Sequence, residues 1–238
     1  VGEFVLQHHR GGRTRGALVV VNRGTGLLAD VVARRFAAAL VAMGFDVAIP
    51  ATIRGDGAGE GAWARSIGSA LATIVRRVHD GVTVEAWARQ LGYRTVIATG
   101  VGIGGTVTAL LAATTSRFDG CVPVLAGTHP GRLWLPPRAL ARAADHAALA
   151  RDDVRHARTL LRLFDPVAPG RLPAPRRRDG SAVVGLRYDT QVPPADVQAL
   201  ANHWRVRAVW LDRCHVELPA STRALATVIA HAARAVGR

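Results

Sequence analysis

The chain has no lysine; arginine fills all 31 of its Lys/Arg positions. Aromatic residues are scarce, at 5% of the chain, and there is a single methionine. No apolar run is long enough to cross a bilayer, which excludes a helical membrane span. No internal repeat is visible, which excludes a solenoid or propeller. No secretory signal stands at the start. The first residue is Val1, so the native start, and any leader with it, is left open. The two cysteines, Cys121 and Cys214, fit no metal-ligand or redox spacing. Cys121 opens an apolar run and reads as a core residue. So few thiols suit a reducing compartment, and a cytoplasmic location is expected. No metal or cofactor is implied.

What is present is apolar and basic. Nearly half of the 238 residues are hydrophobic, at 49%, which is globular composition in a chain long enough to bury a large core. One domain over residues 1–238 is expected. The formal net charge is +14. Such a balance raises nucleic acid, anionic membranes or acidic proteins as partners. Replacement of every lysine by arginine, beside abundant Ala, Gly, Val and Pro, reads as a bias toward GC-rich codons and discounts that argument. The arginines are scattered apart from Arg34-Arg35, Arg76-Arg77 and Arg176-Arg177-Arg178. No nucleic-acid motif accompanies them, so no nucleic acid is expected. An acidic partner or carrier protein stays open beside a small-molecule substrate.

Strands and helices alternate along the chain. Phe4 to His9 reads as a short strand. Ala17 to Asn22 (ALVVVN) is a buried strand by its β-branched run. Leu28 to Met43 has helical spacing and is closed by Gly44. Asp46 to Pro50 is a second buried strand. Trp63 to Leu91 is helical, with a break expected near Asp80-Gly81. Thr95 to Thr99 and Cys121 to Leu125 are further strands, with a small-residue helix between them. Arg138 to Phe164 reads as helical, followed by a Pro/Arg linker over Asp165 to Gly180. Ser181 to Tyr188 and Arg207 to Leu211 are the last strands. Pro194 to Trp204 and Pro219 to Val236 are the last helices. This order implies a mostly parallel sheet with helices on both faces. Right-handed crossovers bring the loops after Asn22, Thr99, Tyr188 and Leu211 to one edge, where ligands bind in open α/β sheets.

The loop after Thr99 is Gly100-Val101-Gly102-Ile103-Gly104-Gly105. It fits a nucleophile elbow, G-x-S-x-G, with glycine where the serine should be. Gly100, Gly102 and Gly105 also match G-x-G-x-x-G, the dinucleotide fingerprint. That reading needs an acid after the following strand, yet Asp119 stands at that strand's start. A tight turn without a role is the third reading. Asp189 follows a late strand and His215 follows the last one. Each could be an ordinary turn or structural residue, but acid then histidine, in that order after a vacated elbow, is the hydrolase chain order. Ser66, Ser69, Ser116 and Thr106 all lie off the elbow centre, and the Thr106 side chain is expected to point away. The loop Arg23-Gly24-Thr25-Gly26 is either a plain glycine turn or a loop whose amides face a ligand.

These segments together resemble the α/β-hydrolase superfamily, and within it an abhydrolase-domain branch of poorly characterised animal and bacterial proteins. Members carry an early G-T-G loop, an elbow like G-x-S-M-G-G-H, a late D-x-x-V-P and a final G-H-V. Here those stand as Gly24-Thr25-Gly26, Gly100 to Thr106, Asp189 to Pro193 and Cys214-His215-Val216. The resemblance runs from Ala17 onward. It implies an α/β-hydrolase fold with a small helical cap, placed at 128–170. It implies Asp189 as acid, His215 as base, and an oxyanion hole from Ile103, Gly24 and Thr25. The departures are Gly102 for Ser, Ile103 for Met and Thr106 for His, so covalent hydrolysis is not implied. A histidine oriented by an aspartate and facing backbone donors suits non-covalent acid–base chemistry on a carbonyl compound. Elimination, isomerisation, cyclisation or water-mediated hydrolysis would fit, and the GC-rich bias points to bacterial specialised metabolism. A non-catalytic pseudo-hydrolase and an NAD(P)-binding protein are the alternatives.

Overall fold

The structure is a computed structural model that describes residues 5–11, 16–24, 27–51, 67–115, 117–130 and 162–236. Seven strands form one sheet: β1 (Val5–His9), β2 (Ala17–Asn22), β3 (Asp46–Ala51), β4 (Thr95–Val101), β5 (Gly120–Val124), β6 (Val183–Leu186) and β7 (Ala208–Leu211). Their spatial order is β1-β3-β2-β4-β5-β6-β7. Among the described strands, only β1 runs antiparallel, against β3. The central strands are apolar on both faces because both faces are covered. Leu18, Val19 and Val20 of β2 and Val96, Ile97 and Ala98 of β4 are fully buried.

Among the described residues, five α-helices cover the sheet: α1 (Leu27–Ala42), α2 (Ile67–Gln90), α3 (Ile103–Thr114), α4 (Pro194–Trp204) and α5 (Thr222–Val236). α1 packs with α5, α2 with α3, and α4 lies on β6 and β7. α4 starts with proline at its first position, where a missing N–H costs nothing. It ends at Arg205, which takes a left-handed conformation with φ 55°. The chain leaves β2, passes outward to β3, then returns to pair β4 on the other side of β2. The strand tips of β2 and β4 therefore flank the point where winding reverses, the usual crevice for a ligand.

Several elements differ from the sequence expectation. α2 is unbroken through Asp80-Gly81. Gly81 is there for packing, since a Cβ would come within 2.6 Å of Leu111 Cδ1 on α3. A local reading sees only its poor helix propensity of about 1 kcal/mol. The last helix begins at Thr222, after a 3-10 turn over His215–Ala220 that contains Pro219. The ladder of β6 covers only Val183–Leu186. Two 3-10 turns, Arg162–Val167 and Pro169–Arg171, stand at the end of the expected Arg138–Phe164 helix and the start of the Pro/Arg linker. Within the first, Phe164 is fully buried against Ile74 and Leu110. Most of the expected cap, residues 131–161, lies outside the described residues, as do the glycine-rich loop after β3 and Trp63.

Candidate functional site

The turn between β4 and α3 is built from main chain in close contact. A Cβ on Gly100 would run into the Gly104 and Asn22 carbonyls, one on Gly104 into Asn22, and one on Gly105 into Val124. These three glycines let the first turn of α3 sit directly on the tips of β2 and β5. Gly102 differs. It has φ 59° and ψ −114°, a conformation L side chains rarely adopt. Yet a Cβ there would meet nothing within 4 Å. Backbone conformation, not crowding, is what glycine relieves at 102. Its amide donates to the Val124 carbonyl at 2.9 Å, and its carbonyl accepts from the Thr106 amide at 2.9 Å. Ile103 is the first residue of α3, so its amide is one of the donors a helix leaves unused. The Thr106 hydroxyl is fully buried and has no hydrogen-bond partner among the described residues.

Asp189 and His215 are brought together by the tips of β6 and β7. His215 Nδ1 lies 2.8 Å from Asp189 Oδ2. The other carboxylate oxygen, Oδ1, accepts from the Gln191 amide at 2.7 Å and the Val192 amide at 2.9 Å. This aspartate turn explains why D-x-x-V-P follows β6: the side chain caps its own loop. The Asp189 side chain is fully buried, while that of His215 is 31% exposed. Burial by itself would push the Asp189 carboxyl up. The His215 hydrogen bond, the Val192 amide, the His215 charge and the Gln191 amide outweigh it and hold the carboxyl below its ordinary value. With Nδ1 directed at the carboxylate, Nε2 is the ring nitrogen left for other chemistry.

Along the sheet, Gly102 follows β4, Asp189 follows β6 and His215 follows β7. One strand separates the turn from the carboxylate, about 10 Å at ordinary strand spacing. All three leave the same edge. Gly24 follows β2 at that edge and also flanks the winding reversal. Thr25 lies outside the described residues. Asp119 sits at the opposite edge, where it accepts from Val96 N and from Arg89 and Arg177. It braces the sheet and is far from any ribose site beside the glycine turn.

Three residues at this edge escape a sequence reading. Arg77 of α2 donates to the Arg23 carbonyl at 2.6 Å and the Gly24 carbonyl at 3.1 Å, fixing the loop after β2. Asn22 is buried and donates to Thr108 Oγ1 of α3 at 3.0 Å. Asp80 shares a small recess with Asn22, Arg23, Pro50 and Arg77. Burial raises its carboxyl above the ordinary value, against the lowering charges of His79, Arg76 and Arg77. A polar residue closing an apolar strand was the one available signal, at Asn22.

No protein-family model matches the sequence, and no curated protein matches it. Solved structures do. Est1E from Butyrivibrio proteoclasticus, with ferulic acid bound, aligns over 99% of this chain and 97% of its own at 13% identity, with a TM-score of 0.66. Brefeldin A esterase, a bacterial homologue of human hormone sensitive lipase, aligns over 99% of this chain and 74% of its own at 18% identity, TM-score 0.62. A structure from the metagenome-derived lipolytic enzymes LipS and LipT aligns over 95% and 97% at 20% identity, TM-score 0.60. At such identities the likeness speaks for architecture. With the sheet order and the strand–helix turn, it gives this chain the α/β-hydrolase fold.

Proposed function

We propose that this chain is an enzyme of the α/β-hydrolase fold that works without a covalent nucleophile. His215 is the general base, Asp189 holds its tautomer, and the Ile103 amide, with the loop at Gly24 and Thr25, stabilises a developing oxyanion. The substrate is a small carbonyl compound. Position 102 carries no hydroxyl, so no acyl-enzyme can form there. His215 instead takes a proton from the carbon beside the carbonyl, leading to elimination, isomerisation or cyclisation. The same base can act on a water that attacks the carbonyl directly. The observation that carries the reading is the 2.8 Å His215–Asp189 contact at the edge that also bears the glycine-centred turn. The structural neighbours include esterases and lipolytic enzymes, which supports a carbonyl substrate. A second reading, a binding protein that has lost catalysis, is favoured by the absence of a hydroxyl at 102 alone.

One experiment separates them. Small ketones and esters are incubated with the protein in D2O, and deuterium uptake beside the carbonyl is followed by NMR, with ester hydrolysis read in parallel. Turnover by the natural chain and its loss in His215→Ala are expected. Equal turnover in both proteins would remove His215 as the base.

A further inference from the structure

At the sheet edge opposite the candidate site, arginines gather at the entries to four neighbouring strands. Arg94 directly precedes β4, Arg117 lies just before β5, Arg176, Arg177 and Arg178 lead into β6, and Arg207 directly precedes β7. All six are exposed. β4, β5, β6 and β7 are consecutive in the sheet, so their entries form one rim about 14 Å across. Backbone contacts hold it together: Val183 N bonds the Arg207 carbonyl and Ser181 N the Arg178 carbonyl.

Two of the acids near this rim, Glu85 and Asp119, are already committed. Glu85 and Asp119 have side chains 4% and 6% exposed. Between them they bind Arg89, Arg117 and Arg177. Asp179 is exposed beside Arg178. The guanidinium groups of Arg94, Arg176, Arg178 and Arg207 make no hydrogen bond or ion pair with a side chain among the described residues. Codon bias accounts for arginine in place of lysine, but not for a cluster in which one exposed acid, Asp179, stands among six exposed arginines.

We infer that this rim is a docking surface for an acidic protein, one that presents a row of carboxylates along a helix or loop. Guanidinium forks pair carboxylates bidentately, and a rim of this width matches about ten residues of helix. Among the described residues, the exposed large hydrophobics are Val31, Val75, Tyr188 and Val216, none of them at the strand entries, so the described rim offers no anchor for a lipid surface. The aromatic residues beside the rim, Tyr93, Phe118 and Trp204, are buried and offer no stacking platform for single-stranded nucleic acid. A partner here would leave the opposite edge open to a small molecule.

The test uses fluorescent poly-L-glutamate as probe, with duplex DNA and phosphatidylserine vesicles as separate arms. The natural chain is compared with a rim variant, Arg94→Glu, Arg176→Glu and Arg178→Glu, and with a control variant of equal charge, Arg34→Glu, Arg35→Glu and Arg223→Glu, all exposed. Circular dichroism checks that each is folded, and Arg→Gln versions replace any that is not. The expected result is salt-sensitive poly-glutamate binding, weakened about tenfold or more in the rim variant and kept in the control. Equal weakening in both variants would reduce the effect to bulk charge. Absence of binding at low salt, or tighter rim-dependent binding of DNA or vesicles, would equally overturn the assignment.

Discussion

Placing serine at position 102 separates the two reasons a glycine can be needed. A Cβ there meets nothing within 4 Å, so no steric cost is expected. The backbone, at φ 59° and ψ −114°, carries the whole penalty. Holding an L residue in such a conformation costs about 1–3 kcal/mol. In a chain of this length, each kcal/mol lowers the melting temperature by about 2–4 °C. Gly102→Ser should therefore melt about 2–12 °C below the natural protein, with an unchanged far-ultraviolet circular dichroism spectrum. Gly104→Ala is the contrast. Its Cβ would overlap the Asn22 carbonyl, which belongs to the sheet and cannot rotate away. A loss beyond about 3 kcal/mol is expected there. Thermal melts of both variants beside the natural chain decide it. An unshifted Gly102→Ser melt would refute the strained turn, and a loss as large as that of Gly104→Ala would refute the open space. Under the proposed function, the folded serine variant should also show weak ester hydrolysis with a burst of product, with His215 serving the new hydroxyl as base.

Three other outcomes follow from the geometry. Asp189 is held below its ordinary value, so its ionised form adds stability above the unfolded carboxyl value of about 3.8, and that stability is lost as pH falls through the folded value. Unfolding titrations of the natural chain and Asp189→Asn should differ near neutral pH and converge in strong acid; a constant gap would refute the linkage. Burial pushes the Cys121 thiol up to about 12, whereas Cys214 is only partly buried. A thiol reagent at pH 8 should label one cysteine per native chain and two in denaturant, mass spectrometry placing the first at Cys214. Arg77→Met removes the donor that fixes the loop after β2, at a cost of about 1–3 kcal/mol. Hydrogen exchange should rise around Arg23 and Gly24, and no change there would dismiss the clamp.

The sequence was most legible where burial makes a residue's surroundings uniform. ALVVVN shows as a strand because both its faces are covered, and α4 is legible end to end because Pro194 fixes its first turn. The pairing of Asp189 with His215 could be anticipated because each follows one of the last two strands. Gly81 misleads because the reason for it, Leu111, lies thirty residues away on another helix. The Arg77 clamp and the Asn22–Thr108 bond join positions more than fifty residues apart. Nothing in local spacing announces them. Pro219 marks a 3-10 turn instead of a helix start, since the same residue suits both.

The collar of carbonyls around the β4–α3 turn has a consequence for how this molecule can change. Its shape is set by peptide groups of Asn22, Gly104 and Val124, none of which takes part through a side chain. Side-chain substitutions around the turn leave that collar untouched. The turn's backbone thus keeps its shape whatever side chains are installed beside it, and the frame and its cargo are free to diverge separately.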